Sequence, residues 1–293
     1  VSTADAGEIE AWLRLTACAG ATPAAVRTLL GGLGPPEQIF AAPARELARL
    51  VGPDLARALR APVSPAFVER FEAIVAWAQA SDQHFVALGD PDYPSSLLET
   101  PDPPLVLYIW GEPRRLVAPL LGILLSRQAT GEGLRNASEF ARALALRKIE
   151  LMWEETTLRS FPTLALAAGA RALAVAGSGS PLPAFGAGAN RARATLVSEH
   201  APGAGPERVR PRRANRLFAG LCRAILVVQG ARHSEIFETA RAAGQWGRDI
   251  FAVPGSIHSP LSKAGHQLIK DGAKLVESSV DIFSELAGFA RGE

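Results

Sequence analysis

Cysteine is nearly missing from this chain: Cys18 and Cys222 are the only two in 293 residues. Their separation matches no zinc-ligand spacing and gives no disulfide framework. They read as small buried apolar residues in a reducing compartment. The five histidines are scattered, and His258 and His266 stand too far apart to form a one-turn pair of ligands. No structural metal and no cofactor is therefore expected. An excess of one charge is missing too. Lys and Arg number 31 against 29 Asp and Glu, a net charge of +2, so any affinity for a polyanion must come from where the cations cluster. No apolar run reaches the roughly 18 residues that cross a bilayer. The opening VSTADAGEIEAWL reads as an acidic helix, not a signal peptide. These absences predict a cytoplasmic protein with no membrane partner. Charged residues at 20% and hydrophobic ones at 48% exclude a disordered chain and supply a full core.

Two regions are expected. Residues 1–82 read as a small all-helical domain of the SAM or helix-hairpin-helix kind, with Ile9, Trp12, Leu13 and Leu15 at helical spacing and Thr22-Pro23 as a helix start. The segment LARLVGPDLARAL resembles a helix-hairpin-helix, which presents backbone N–H groups to phosphate, but a plain helical turn is the preferred reading. Residues 83–293 alternate strands and helices. Strands are expected at 84–88, 105–110, 120–125, 149–153, 172–176, 195–198, 224–228, 249–253 and 274–276. Helices are expected at 95–98, 133–145, 163–168, 215–221, 236–243, 263–271 and 280–289. Apolar strands alternating with helices predict an α/β fold: an extended Rossmann-like, doubly wound, mostly parallel sheet.

In such a sheet ligands bind past the carboxyl ends of the strands. After 120–125 come Ser126, Arg127 and Thr130, then a glycine-flanked helix start: hydroxyls, free N–H groups and a forked cation suited to phosphate. An ordinary surface turn is the plain alternative. The run RVRPRRANR places Arg208, Arg210, Arg212, Arg213 and Arg216 within nine residues with no acid between them, as a basic loop feeding a helix near Asn215. The Pro254-Gly255-Ser256 turn and Lys263 follow another strand. Gly177-Ser178-Gly179 is a G-x-G fragment lacking its third glycine, a weak dinucleotide signal. No catalytic set is found. His233 and Ser234 are neighbours with no carboxylate to orient the ring, and Glu154-Glu155 reads as a solvated acidic turn.

Several stretches in this order resemble the bacterial DprA/Smf family: DPDYPSSLLETPDPPLVLYIWG (90–111), SRQATGEG (126–133), LVSEHAPG (196–203), PRRANRLFAGLCRAILVV (211–228) and AVPGSIHSPLSKAGHQLIKDGAKLVE (252–277). The resemblance implies an extended Rossmann domain behind a helical one. It implies non-catalytic, cooperative binding of single-stranded DNA, homodimerisation, and delivery of that DNA to RecA during natural transformation. Ser126 and Arg127 match the family's Gly-Ser-Arg turn. Arg213, Asn215 and Arg216 match its Pro-x-Arg-Asn-Arg run, beside Arg212. Gly255, Ser256 and Lys263 match its Pro-Gly turn and the basic residue after it. Four places depart from the pattern. Ala214 splits the Arg-Asn-Arg run. Leu125 replaces a glycine and is expected to crowd a phosphate. Residues 153–160 (WEETTLRS) add two negative charges. Ser234–Thr239 replaces Ser-Gly-Ser-Leu-Ile-Thr, with glutamate where glycine is expected.

These departures keep two other readings open. One is a diverged scaffold that has kept the fold and lost the ligand site. The other is a nucleotide phosphoribohydrolase like the LOG proteins of this fold, although their Pro-Gly-Gly-x-Gly-Thr-x-x-Glu motif is absent.

Overall fold

The computed structural model describes residues 5–154, 172–176, 194–204 and 210–286. Six short helices come first: α1 (Ala6–Ala17), α2 (Pro23–Leu33), α3 (Pro36–Ala41), α4 (Ala44–Val51), α5 (Pro53–Leu59) and α6 (Pro65–Ala78). Their starts are set by local chemistry. Asp5, Thr22 and Ser64 each accept a hydrogen bond from an N–H one turn on, and Pro23 and Pro65 occupy the first helical positions, where no N–H is needed. The helices α4 and α5 meet at Gly52, whose φ of 85° lies in the left-handed region that favours glycine.

The remainder is built on strands β1 (Gln83–Ala87), β2 (Val106–Trp110), β3 (Leu120–Leu125), β4 (Glu150–Glu154), β5 (Ala172–Val175), β6 (Ala194–Ser198), β7 (Cys222–Gln229), β8 (Asp249–Ala252) and β9 (Lys274–Leu275). They form one sheet in the order β1-β2-β6-β5-β4-β3-β7-β8-β9. From β6 to β9 every pairing is parallel. The pairs β1–β2 and β2–β6 are antiparallel and extend the parallel sheet at one edge. Helix α7 (Ser95–Leu98) lies between β1 and β2. Helices α8 (Gly131–Leu146), α9 (Arg210–Leu221), α10 (Glu235–Gln245), α11 (Lys263–Lys270) and α12 (Ser279–Glu285) follow in order.

Strand alternation splits the core in two. Leu120, Leu124, Met152, Ile225 and Val227 pack on one face against Leu217 and Phe218 of α9, Ala240 of α10 and Leu268 of α11. Leu121, Ile123, Leu151, Trp153 and Leu226 pack on the other against Phe140 of α8 and Ile282 of α12. A third cluster joins α1–α6 to Phe85, Ala87, Val106 and Tyr108, so the antiparallel extension is the surface on which the helical layer sits.

Most expected elements form with boundaries shifted by a residue or two. One shift matters. The helix expected from 215 begins at Arg210, so the run from Arg210 to Arg216 is helical rather than a loop, and Arg213 and Arg216 share a face one turn apart, while Arg208 lies outside the described residues. The expected helix 163–168, the G-x-G fragment and residues 155–160 of WEETTLRS lie outside the described residues.

Candidate nucleic-acid interface

The strand order places β3 beside β7, with the chain moving outward from them in opposite directions. Their carboxyl ends are thus the crevice of this fold. Three loops converge there: 126–130 after β3, 230–234 after β7, and 253–262 after β8. Backbone bonds lock them together. Ser126 N donates to Gln229 O (2.8 Å), Gly230 N to Leu261 O (2.7 Å), and Ala264 N to Gly230 O (3.0 Å).

Ser126, Arg127, Thr130, Gly255 and Ser256 belong to this group of loops, Lys263 opens α11 directly after the third, and many of their polar atoms brace the loops from within. Ser126 Oγ accepts from Gln128 N (3.2 Å). Thr130 caps α8 by accepting from Gly133 N (3.1 Å). Ser256 Oγ accepts from His258 N (3.2 Å), and Lys263 Nζ donates to Ile257 O. A Cβ on Gly255 would strike Ser262 Oγ, so glycine is required there by packing. Arg127 differs from the rest: it is exposed and has no ion-pair partner among the described residues.

Gln229 stands outside the motifs legible in the sequence. Its Oε1 accepts from Thr130 N (3.0 Å), its Nε2 donates to Thr130 Oγ1 (3.0 Å), and Gly133 comes so close that a Cβ there would collide with the carboxamide. The start of α8, expected as an open anion site, therefore has Thr130 N and Gly133 N already bonded. The available signal was a polar amide ending the otherwise apolar strand CRAILVVQ. Leu125 does not crowd this crevice as expected: it is buried in the core, on the face that packs against α8. Ser234 caps α10 and puts Glu235 and Glu238 in its first turn, where they suit the helix dipole.

The arginine helix forms a second group. α9 runs straight into the start of β7, so its own start lies toward the carboxyl edge. Expected as an open phosphate contact, Arg216 instead donates to both carboxylate oxygens of Glu199 (2.9 and 2.7 Å), and to the side chain and carbonyl of Asp102. Asp102 also accepts from Arg27 of α2 at 2.7 Å. Burial pushes the Glu199 carboxyl above the ordinary carboxylate range in spite of the Arg216 guanidinium. Arg213 is exposed, and Asn215 is half-buried and engaged. The side chain of Arg212 lies outside the described residues. Glu199 follows β6, three inter-strand steps from β3, or about 14 Å at the usual spacing. The candidates thus fall into two groups along one edge, and the connections after β4 and β5 between them are outside the described residues.

Among the described residues no group of three His, Cys, Asp or Glu is placed to hold a metal, and no helix is long and apolar enough to cross a membrane.

Comparison with known proteins agrees with this architecture. The family model of DNA recombination-mediator protein A matches residues 84–152 and 161–287. DNA processing protein DprA of Streptococcus pneumoniae is 32% identical over 205 residues, 67% of this chain and 72% of that protein. Protein Smf of Escherichia coli is 31% identical over 225 residues, 73% of this chain and 60% of that protein. The X-ray structure of the Streptococcus pneumoniae DprA superposes with a TM-score of 0.71 at 25% identity, covering 97% of this chain and 99% of that one. A Helicobacter pylori DprA structure, described by its single-stranded DNA binding mode, superposes with a TM-score of 0.60 at 18% identity over 70% of this chain and 96% of that one. With nine strands of its described residues in one sheet and a family match over most of its length, this chain belongs to the DNA recombination-mediator protein A (DprA/Smf) family.

Proposed function

We propose that this protein binds single-stranded DNA without cutting it, along the carboxyl edge of the sheet, and passes the strand to RecA as a homodimer in the cytoplasm. The observation that carries the reading is Arg127: an exposed guanidinium without a partner among the described residues, on a braced turn at the crevice. Such a group contacts phosphate without reading bases. Ser126, Gly255, Ser256 and Lys263 line the same crevice. Arg213 supplies a second exposed cation at the far end of the edge. Arg212 and Asn215 complete the proposed set, with Arg216 and Thr130 holding the surface in shape. The DprA of Helicobacter pylori, described by its single-stranded DNA binding mode, supports the same reading.

A salt titration of oligo-dT binding tests this. Wild type binds at low salt, and Arg127→Ala weakens binding and lowers the slope of log K against log salt by about 0.7, one phosphate contact. A slope unchanged by Arg127→Ala removes that arginine from the interface, and no binding at low salt ends the proposal. The scaffold reading has one observation in its favour, the occupation of the α8 start by Gln229. It predicts a dimer that binds no DNA under the same conditions.

A further inference from the structure

At the β6 end of the edge, the helical layer walls a half-open cavity of about 400 Å³ beside the sheet. Thr16, Ala21 and Pro23, at the corner of α1 and α2, form one side. Pro103, Pro104, Val106 and Tyr108, all buried, form an apolar wall. Asp102 and Glu199 supply carboxylates, and exposed Arg213 lines the same space. The Glu199 side chain is only 9% exposed, and Arg216 and Arg27 offset the charge of the two acids.

We infer that this cavity is a subsite for one nucleotide, with the base against the proline wall and its amino group toward Glu199 and Asp102, and the phosphate on Arg213. The volume lies in the range of small-molecule sites, which are largely apolar with a few placed polar groups. An ionised carboxylate offers about four lone-pair positions and only accepts. Arg216 takes one position on each Glu199 oxygen, leaving capacity for N–H donors. Cytosine, adenine and guanine carry exocyclic amino donors. Thymine offers a single N–H between two carbonyl oxygens that a carboxylate repels. The inference rests on the proposed strand path, because the cavity lies where a strand crossing from β8 past β3 would arrive.

The test compares dC and dT oligonucleotides of equal length, with free dCMP as a separate probe. Wild type binds the dC oligonucleotide about tenfold more tightly than dT, the size of one well-placed polar pair. Ala21→Phe, which fills the cavity without touching a charge, abolishes the difference and leaves dT affinity and salt slope unchanged. Thr16→Trp fills the same space from α1 and serves if Ala21→Phe fails to fold. Equal binding of dC and dT by wild type, or a preference that survives both fillings, overturns the inference. If neither oligonucleotide binds, the strand path falls, and calorimetry with dCMP alone decides. Uptake by wild type and not by the filled variants upholds a site for free nucleotides, and no uptake overturns it.

Discussion

Two arginines from different motifs of the family have opposite physical roles. Arg216 is surrounded by Glu199, Asp102 and a carbonyl, and its side chain is 24% exposed, whereas Arg127 is open to solvent. Removing Arg216 leaves Glu199 buried and unpaired, which costs about 3 kcal/mol. Arg216→Ala is therefore expected to lower the urea midpoint strongly. Arg127→Ala is expected to leave the midpoint unchanged and act only on DNA affinity. Equilibrium unfolding of both variants checks this, and equal midpoints would show that the Glu199 contact contributes nothing. Gln229 and Gly133 belong to the same scale. The carboxamide fits only because residue 133 lacks a side chain.

At the level of elements, helix starts are the sensitive points. Thr130 accepts from Gly133 N and is gripped by Gln229, so Thr130→Ala is expected to cost about 1 kcal/mol through the lost cap. Thermal unfolding reads it. α12 begins with Asp281 accepting from the backbone N–H groups of Glu277 (2.9 Å) and Ser278 (2.8 Å). Those bonds hold its carboxyl below the ordinary aspartate value, the Glu277 bond contributing most. Because the folded pKa is depressed, this stabilisation is present above the ordinary aspartate value and is lost as pH falls through the folded one. The stability advantage of wild type over Asp281→Ala should therefore shrink on acidification. An advantage independent of pH would assign it to packing instead. The arginine run is the element where spacing misled: its proline at 211 marked a first-turn position inside α9, not a loop.

Over the whole molecule, the helical layer and the sheet share one apolar seam. Phe85 of β1 and Tyr108 of β2 lie edge to face with centroids 5.7 Å apart, and Trp77 of α6 packs against Tyr108 and Trp110. The Arg27–Asp102 pair across the same seam is one-third to two-fifths exposed, so it contributes at most about 1 kcal/mol after screening. The seam is held mainly by burial. Phe85→Ala is expected to destabilise by about 3–5 kcal/mol. Tryptophan fluorescence and far-ultraviolet dichroism should then report one shared transition. Two separated transitions would show that the helical layer unfolds alone.

The sequence determined what depends on neighbours along the chain. Alternating apolar strands and helices specified the doubly wound sheet, proline and hydroxyl pairs marked helix starts, and long local motifs carried the family resemblance. It also put Ser126 and Arg127 on the turn after β3, because a turn after a strand is a local event. Tertiary structure decided which cations remain open. Asp102, Glu199 and Arg216 are far apart in sequence and meet only once α9 crosses the sheet, and Gln229 reaches Thr130 only because β7 pairs with β3. Whether a charge is free or paired depends on which groups surround it within a few ångströms, and no spacing along the chain encodes those distances.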